Sequence, residues 1–269
     1  METQKTYTLI TGGSSGIGLE LAKLFAKDGR HLILVARYED ELTSAKQVIS
    51  ELADVEIITI AKDLFKMEQA YELHRDVSDK QLKVDILVNN AGHGWYGEFK
   101  DTELDMELSI IHLNICSLVI NTKLFLKDML AAGGGKILNT SSIASKFPGP
   151  WQSVYHGTKA FVQSFTEALR AEVSDHGITV TTLLPGPTDT DFFRKAQMLE
   201  SKAYEKDQLA DPADVAKAGY EALMKGEDMV VAGIKNKMQA AQAAITPDEM
   251  LAKKTYKDQA PKDQDEYEK

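Results

Sequence analysis

The sequence holds a single cysteine, Cys116, so no internal disulfide can form. Its neighbours Ile115, Ser117, Leu118 and Val119 form an apolar run that reads as core, which fits a reducing cytosol. Basic residues are outnumbered, 31 against 41 acidic, and the formal net charge of -10 makes a field that repels phosphate backbones and anionic head groups. Neither nucleic acid nor a membrane surface is expected as a partner. Six histidines, at 31, 74, 93, 112, 156 and 176, are scattered without an H-E-x-x-H pair or a Cys/His cluster, so no metal site is expected. No unbroken apolar run approaches the roughly 18 residues of a membrane span. Met1 to Tyr7 is polar and lacks the basic-then-apolar layout of a secretory signal, so a cytoplasmic location is expected.

What is present is the balance of a globular domain, 43% hydrophobic and 27% charged. Short apolar, β-branched runs alternate with longer amphipathic stretches, the pattern of β-α-β units around a parallel sheet. Strands are expected at Tyr7–Thr11, His31–Ala36, Val55–Ala61, Val84–Asn89, Lys136–Thr140, Thr179–Leu184 and Met229–Ala232. Helices are expected near Ile17–Lys27, Glu39–Glu51, Lys66–Ser78, Thr102–Ala131, Ser153–His176 and Pro212–Lys225. Gly29 and Gly133 stand where C-terminal caps belong, and Asp211-Pro212 gives an N-cap followed by proline in the first turn. The fold class is therefore α/β, a Rossmann-like doubly wound parallel sheet of seven strands with helices on both faces.

Directly after the first strand comes Thr11-Gly12-Gly13-Ser14-Ser15-Gly16-Ile17-Gly18. Gly12 permits a tight turn, Gly16 lets backbone approach a pyrophosphate, and Gly18 allows close packing of helix on sheet. Amides at the helix start then face an anion, aided by the helix dipole. A T-G-x-x-x-G-x-G spacing, Asn89-Asn90-Ala91-Gly92 after the fourth strand, and Ser142 thirteen residues before the pair Tyr155/Lys159 follow in order along the chain. Together they resemble the short-chain dehydrogenase/reductase family, in its short single-domain branch, and most nearly the bacterial ketoacyl-reductase-like and general-function dehydrogenases. The resembling motifs span residues 11–188.

Tyr-x-x-x-Lys places a phenol and an ammonium on one helix face. Tyr96/Lys100 satisfies the same pattern, but it lies in the Gly-rich loop His93-Gly94-Trp95-Tyr96-Gly97 and has Lys83 at the serine offset. Tyr155 opens a long amphipathic helix instead, so chemistry is assigned to Tyr155/Lys159, and Tyr96/Lys100 to the substrate-side loop or the surface.

The resemblance implies a catalytic set of Asn114, Ser142, Tyr155 and Lys159. Lys159 would favour the phenolate, Tyr155 would exchange a proton with a carbonyl oxygen, Ser142 would orient that oxygen, and Asn114 would hold a water joined to the lysine. It also implies cofactor contacts at Gly12, Ser14, Ser15, Gly16, Ile17 and Gly18, at Asp63 and Leu64, at Asn90, Ala91 and Gly92, at Tyr155 and Lys159, and at Pro185, Gly186 and Thr188. For Asp63 a plain turn-capping role remains open. NAD-using relatives tend to end the second strand in an acidic residue, whereas here Ala36 is followed by Arg37. A guanidinium there suits a 2′-phosphate, with Ser14 as second donor, so NADP(H) is expected rather than NAD(H). The expected reaction interconverts a carbonyl and an alcohol; a non-catalytic NADP(H)-binding sensor or scaffold is the alternative.

Trp95, Tyr96, Phe147, Pro148, Trp151, Phe192, Phe193 and Met198 are candidate walls for a small hydrophobic ketone, aldehyde or alcohol. Residues 1–235 are expected to form one dinucleotide-binding and catalytic domain with a lid near 189–210, and 236–269 a partly mobile extension. A homodimer or homotetramer is expected from the resemblance.

Overall fold

The computed structural model describes residues 5–262. Seven strands make one sheet: β1 Thr6–Thr11, β2 His31–Ala36, β3 Ile57–Ala61, β4 Lys83–Asn89, β5 Gly135–Thr140, β6 Ile178–Leu184 and β7 Met229–Val231. Their order is β3-β2-β1-β4-β5-β6-β7, and every neighbouring pair is parallel. The expected doubly wound sheet is thus observed.

Alternation along each strand divides its apolar side chains between two cores. Leu9, Ile33 and Leu87 join Leu73, Phe125 and Leu169 on one face, while Ile10, Leu34 and Val88 join Phe25, Leu42 and Val215 on the other. The covering helices are α1 Gly16–Lys27, α2 Glu39–Ser50 and α3 Met67–Asp79, then α4 Leu104–Ile111, α5 Leu118–Ala132 and α6 Ser153–Val173, and later α8 Pro212–Lys225. Asp211 caps α8 by accepting from the Ala213 amide at 2.8 Å, and Gly133 ends α5 in left-handed backbone at φ 83°.

The expected single helix from Thr102 has a defect at its centre. Between α4 and α5, His112–Ser117 adopts the wider π-helical turn, a feature that occurs mostly as short bulges at functional sites. The continuous stretch Leu104–Ala132 reaches a mean hydropathy of 1.5, long and apolar enough to cross a bilayer by length and composition alone. An unbroken apolar run is absent because Asn114, Ser117, Asn121 and Thr122 interrupt it, and all four are buried.

On one side of β1 lie β2 and β3, on the other β4 to β7. Loops leaving β1 and β4 therefore diverge, opening a crevice at the C-terminal ends of the strands. Above it, the segment 189–210 contains the short helix α7 Phe192–Lys195 and a small core of Phe193, Ala196 and Met198.

The extension expected to be mobile is helical over much of its length. It forms α9 Ile234–Ala243 and α10 Asp248–Gln259. The Tyr96 hydroxyl donates to the Gln259 carbonyl at 2.6 Å, the Trp151 indole to the Tyr256 carbonyl at 3.0 Å, and the Lys202 amide to the Ala260 carbonyl at 2.9 Å. These are contacts to backbone, and the residues of α10 show no apolar stripe from which docking could be read. Residues 263–269 of that extension lie outside the described part.

Candidate active site

The glycine-rich turn is shaped by contacts that only glycine permits. A Cβ on Gly18 would stand 2.1 Å from the Gly12 carbonyl oxygen, and Gly12 and Gly16 take left-handed backbone at φ 65° and 53°. Thr11 ties this turn to β4: its hydroxyl oxygen accepts from the Asn90 and Ala91 amides at 3.0 and 3.1 Å and donates to the Val88 carbonyl. Asn90 reaches back to the carbonyls of Thr11 and Gly12. Ser15 precedes α1 without a side-chain cap, and the first turn holds no acid. The helix start therefore keeps amides and a positive dipole end for an anion.

Beside the cradle, Arg37 is exposed, and its guanidinium lies 4.9 Å from the Phe65 ring centre and 5.2 Å from that of Tyr38. No carboxylate pairs with it among the described residues. Ser14, expected as a second donor, instead donates to the Glu41 carboxylate at 3.0 Å. Sequence reading missed Glu41, whose position in the first turn of α2 marks it only as a dipole partner. Asp63 is not among the residues lining the crevice; its carboxylate accepts from the Phe65 amide at 3.3 Å, so its turn-capping role is the one observed.

At the far side, Tyr155 and Lys159 lie on one face of α6, with the ammonium nitrogen 5.8 Å from the phenol ring centre. Lys159 donates to the Thr140 carbonyl at 2.9 Å, while Ser141 donates to the Lys159 carbonyl at 2.7 Å. Ser142 lies beside the Tyr155 phenol; its hydroxyl donates to the Pro185 carbonyl at 3.5 Å and accepts from the Ala144 amide at 3.1 Å. Burial pushes Tyr155 up to about 12, partly offset by the Ser142 hydroxyl, and pushes Lys159 down to about 8. At neutral pH the phenol keeps its proton.

Asn114, presented by the π-helical turn, spends its amide on protein groups. It donates to the His93 carbonyl and the Thr158 hydroxyl, both at 2.9 Å, and accepts from the His93 amide at 3.0 Å. It thereby clamps the loop after β4 to α6. A Cβ on Gly92 would meet Lys159 Nζ at 3.2 Å and Asn114 Oδ1 at 3.5 Å, so these two groups flank one small space. Burial, with the charges of Arg37 and Lys195, lowers His93 to about 4 and keeps it neutral.

The family model described as short chain dehydrogenase matches residues 6–200. The chain belongs to the short-chain dehydrogenase family. It is 34% identical over 236 residues to a dehydrogenase/reductase SDR family protein 7-like of Anopheles gambiae, covering 84% of this chain and 74% of that one. It is 35% identical over 183 residues to the very-long-chain 3-oxoacyl-CoA reductase of Rattus norvegicus, covering 66% of this chain and 58% of that protein's length. Among solved structures, a short-chain dehydrogenase from Sphingobium yanoikuyae in complex with NADPH matches with a TM-score of 0.80 and 26% identity, covering 89% of this chain and 93% of that one.

In this short-chain dehydrogenase the cradle and the reacting groups line one cavity of about 1640 Å³. That exceeds the roughly 300–1,000 Å³ of an ordinary small-molecule pocket, so a dinucleotide and a substrate can share it. The glycine turn, uncapped helix start and free guanidinium fit a phosphate-bearing dinucleotide. Pro185, Gly186 and Thr188 line the same cavity; the Thr188 hydroxyl donates to the Gly186 carbonyl at 2.8 Å. Of the expected walls, Phe147, Phe192, Phe193 and Met198 face the cavity. Trp95, Tyr96, Pro148 and Trp151 do not: Tyr96 stacks on Trp151, ring centres 5.8 Å apart, and Lys100 pairs with Glu98 at the surface. The walls that sequence reading missed come from α9 and α10, including Met238, Met250 and Leu251.

Proposed function

We propose that this short-chain dehydrogenase is an NADP(H)-dependent oxidoreductase that interconverts a hydrophobic ketone or aldehyde and its alcohol. The observation that carries the reading is that Ser142 and the Tyr155 phenol stand together beside buried Lys159, in the same cavity as an anion-ready glycine turn. Arg37 supports the 2′-phosphate form, and the NADPH complex of the Sphingobium relative is consistent with it. The rat relative's name, a 3-oxoacyl-CoA reductase, and that of a bulky-bulky ketone specific alcohol dehydrogenase from Comamonas testosteroni, 25% identical with a TM-score of 0.76, support a carbonyl substrate.

When bound, the nicotinamide supplies or accepts the hydride. Tyr155 gives its proton to the substrate oxygen during reduction, and Ser142 holds that oxygen by donating a second hydrogen bond. A phenol held near 12 is protonated at every physiological pH, which suits the reductive direction. As negative charge develops on the phenol oxygen, the Lys159 ammonium stabilises it. Asn114 keeps the loop after β4 against α6, which fixes one wall of the reacting space.

Exposed Leu104 and Leu108, four residues apart on α4, offer an apolar spot for a second copy of the chain, in a cytosolic homodimer or homotetramer. The reaction class is tested with NADPH deuterated at the reactive ring carbon. Deuterium should appear at the carbinol carbon of the product by mass spectrometry. Unlabelled alcohol, or none, would contradict the reading.

A further inference from the structure

His93 follows Gly92 in the loop after β4 and lines the cavity, and the mechanism above gives its ring no task. Its hydrogen bonds with Asn114 come from the backbone amide and carbonyl, and no described group bonds the imidazole nitrogens. The ring packs edge-on against Phe65, centres 5.5 Å apart, and the Arg37 guanidinium lies 4.9 Å from the centre of that same Phe65 ring. One residue earlier, a Cβ on Gly92 would meet Lys159 Nζ at 3.2 Å. His93 thus stands between Arg37, beside the glycine turn, and Lys159, at the reacting end. The segment that forms α7 touches both sides of this crevice: a Cβ on Gly16 would stand 2.9 Å from Thr190 Cγ2, and one on Gly94 2.7 Å from Phe192 Cζ. It carries Lys195, which also lines the cavity and has only a loose partner in Asp191, at 3.9 Å.

A dinucleotide that reaches from Arg37 to Tyr155 carries its phosphates past this ring. Building on the NADP(H) reading above, we propose that His93 faces a phosphate of the cofactor and takes up a proton from solvent when the cofactor binds, which couples cofactor affinity to pH. The charges that act on the ring are both positive, Arg37 and Lys195, and with burial they hold it near 4. Other charged groups on the neighbouring elements are engaged elsewhere. Lys62 pairs with Glu72 and Asp76, Asp63 with the Phe65 amide and Lys66, and Lys159 with the Thr140 carbonyl. The π-helical turn meets the His93 backbone with the neutral amide of Asn114. A phosphate therefore brings negative charge to a place where positive charge alone acted, and this favours the imidazolium. The neutral ring has one N–H donor, whereas the cation has two, both suited to an anion. Because the bound-state pKa is the higher one, affinity rises as pH falls, and the gain is lost as pH rises through that value.

The test is NMR of the wild type with isotope-labelled imidazole rings, free and saturated with NADPH or with NADH; His93→Gln assigns the signal among the six histidines. In the free protein the His93 ring should stay neutral down to about pH 5.5. With cofactor bound its midpoint should rise by about two pH units, the effect of an opposite charge close by. A rise with both cofactors assigns the contact to the pyrophosphate, and a rise with NADPH alone assigns it to the 2′-phosphate; either supports the proposal. A midpoint unmoved at saturation with both overturns it and leaves the NADP(H) reading standing. Failure of both cofactors to bind contradicts that reading, and the proton coupling falls with it. Calorimetry gives a second readout. From about pH 7 to about pH 5.5, NADPH affinity of the wild type should gain about threefold over that of His93→Gln, the 2′-phosphate's own titration being common to both. An equal pH dependence in the two proteins also overturns the proposal.

Discussion

The Lys159 ammonium nitrogen lies 5.8 Å from the centre of the Tyr155 ring, while its own hydrogen bond, 2.9 Å long, goes to the Thr140 carbonyl. The lysine is thus anchored to β5 and acts on the phenol through charge. Burial lowers its pKa from 10.5 to about 8, whereas Tyr155 is raised to about 12. As pH rises, the lysine loses its proton first. Ketone reduction should then fall with an apparent pKa near 8 in kcat/KM, with the phenol still protonated. A profile flat to pH 10 would contradict this. Stability runs the other way: the unfolded chain binds more protons between about 8 and 10.5, so Lys159 makes the fold more stable as pH rises through that window.

Ser142 should matter for rate more than for binding. Its hydroxyl stands beside the phenol, where a substrate oxygen would need a second donor. Ser142→Ala is expected to lower kcat about 10²–10³-fold, as loss of one such donor does elsewhere. NADPH affinity, measured by fluorescence, should change little.

Cofactor choice turns on two opposed charges. Arg37→Ala should weaken NADPH roughly ten- to a hundredfold, the worth of a charge-assisted bond to phosphate, and NADH far less. Glu41 pulls the other way, because its carboxylate holds the Ser14 hydroxyl and repels a phosphate placed beside it. Glu41→Gln should strengthen NADPH binding relative to NADH. Equal losses for both cofactors in Arg37→Ala would remove the basis for the NADP(H) assignment.

Gly18 offers a test of the cradle. An added methyl would stand 2.1 Å from the Gly12 oxygen and 2.6 Å from Asn90 Nδ2. Gly18→Ala must spread the turn from α1 and break the bonds from Asn90, at a cost of roughly 1–3 kcal/mol. Calorimetry should show a lower Tm together with weaker NADPH binding.

Much of this was legible in the sequence because the signals were periodic or sterically forced. Strands such as Leu32 to Val35, apolar without a break, read as buried on both faces, and the glycines at 12, 16 and 18 mark a turn too tight for larger residues. Ser142 was separable from Ser141 by its offset to Tyr155, and the structure places Ser141 as a brace to the Lys159 carbonyl. What escaped reading depends on contacts between distant segments. Nothing local announces that Ser14 meets Glu41, 27 residues away, or that Tyr96 reaches Gln259 across 163 residues. The polar helix α10 is held by its Tyr256 and Gln259 carbonyls, by the Tyr256 ring against Trp151 and by buried Leu251, too few apolar positions to mark its docking in the composition. Asn114 differs from expectation in another way: a polar side chain in mid-helix does mark the site, but its amide is committed to His93 and Thr158.

The central claim, that Tyr155 is the proton donor of a carbonyl reductase, is tested most directly by NADPH oxidation across a panel of hydrophobic ketones and aldehydes, in wild type and Tyr155→Phe. The account predicts turnover by the wild type and a loss of about 10²–10⁴-fold in the variant, the usual worth of a positioned acid, at unchanged NADPH affinity. Tight NADPH binding with no turnover of any carbonyl by the wild type, or equal rates in the two proteins, would contradict it and favour a cofactor-binding sensor.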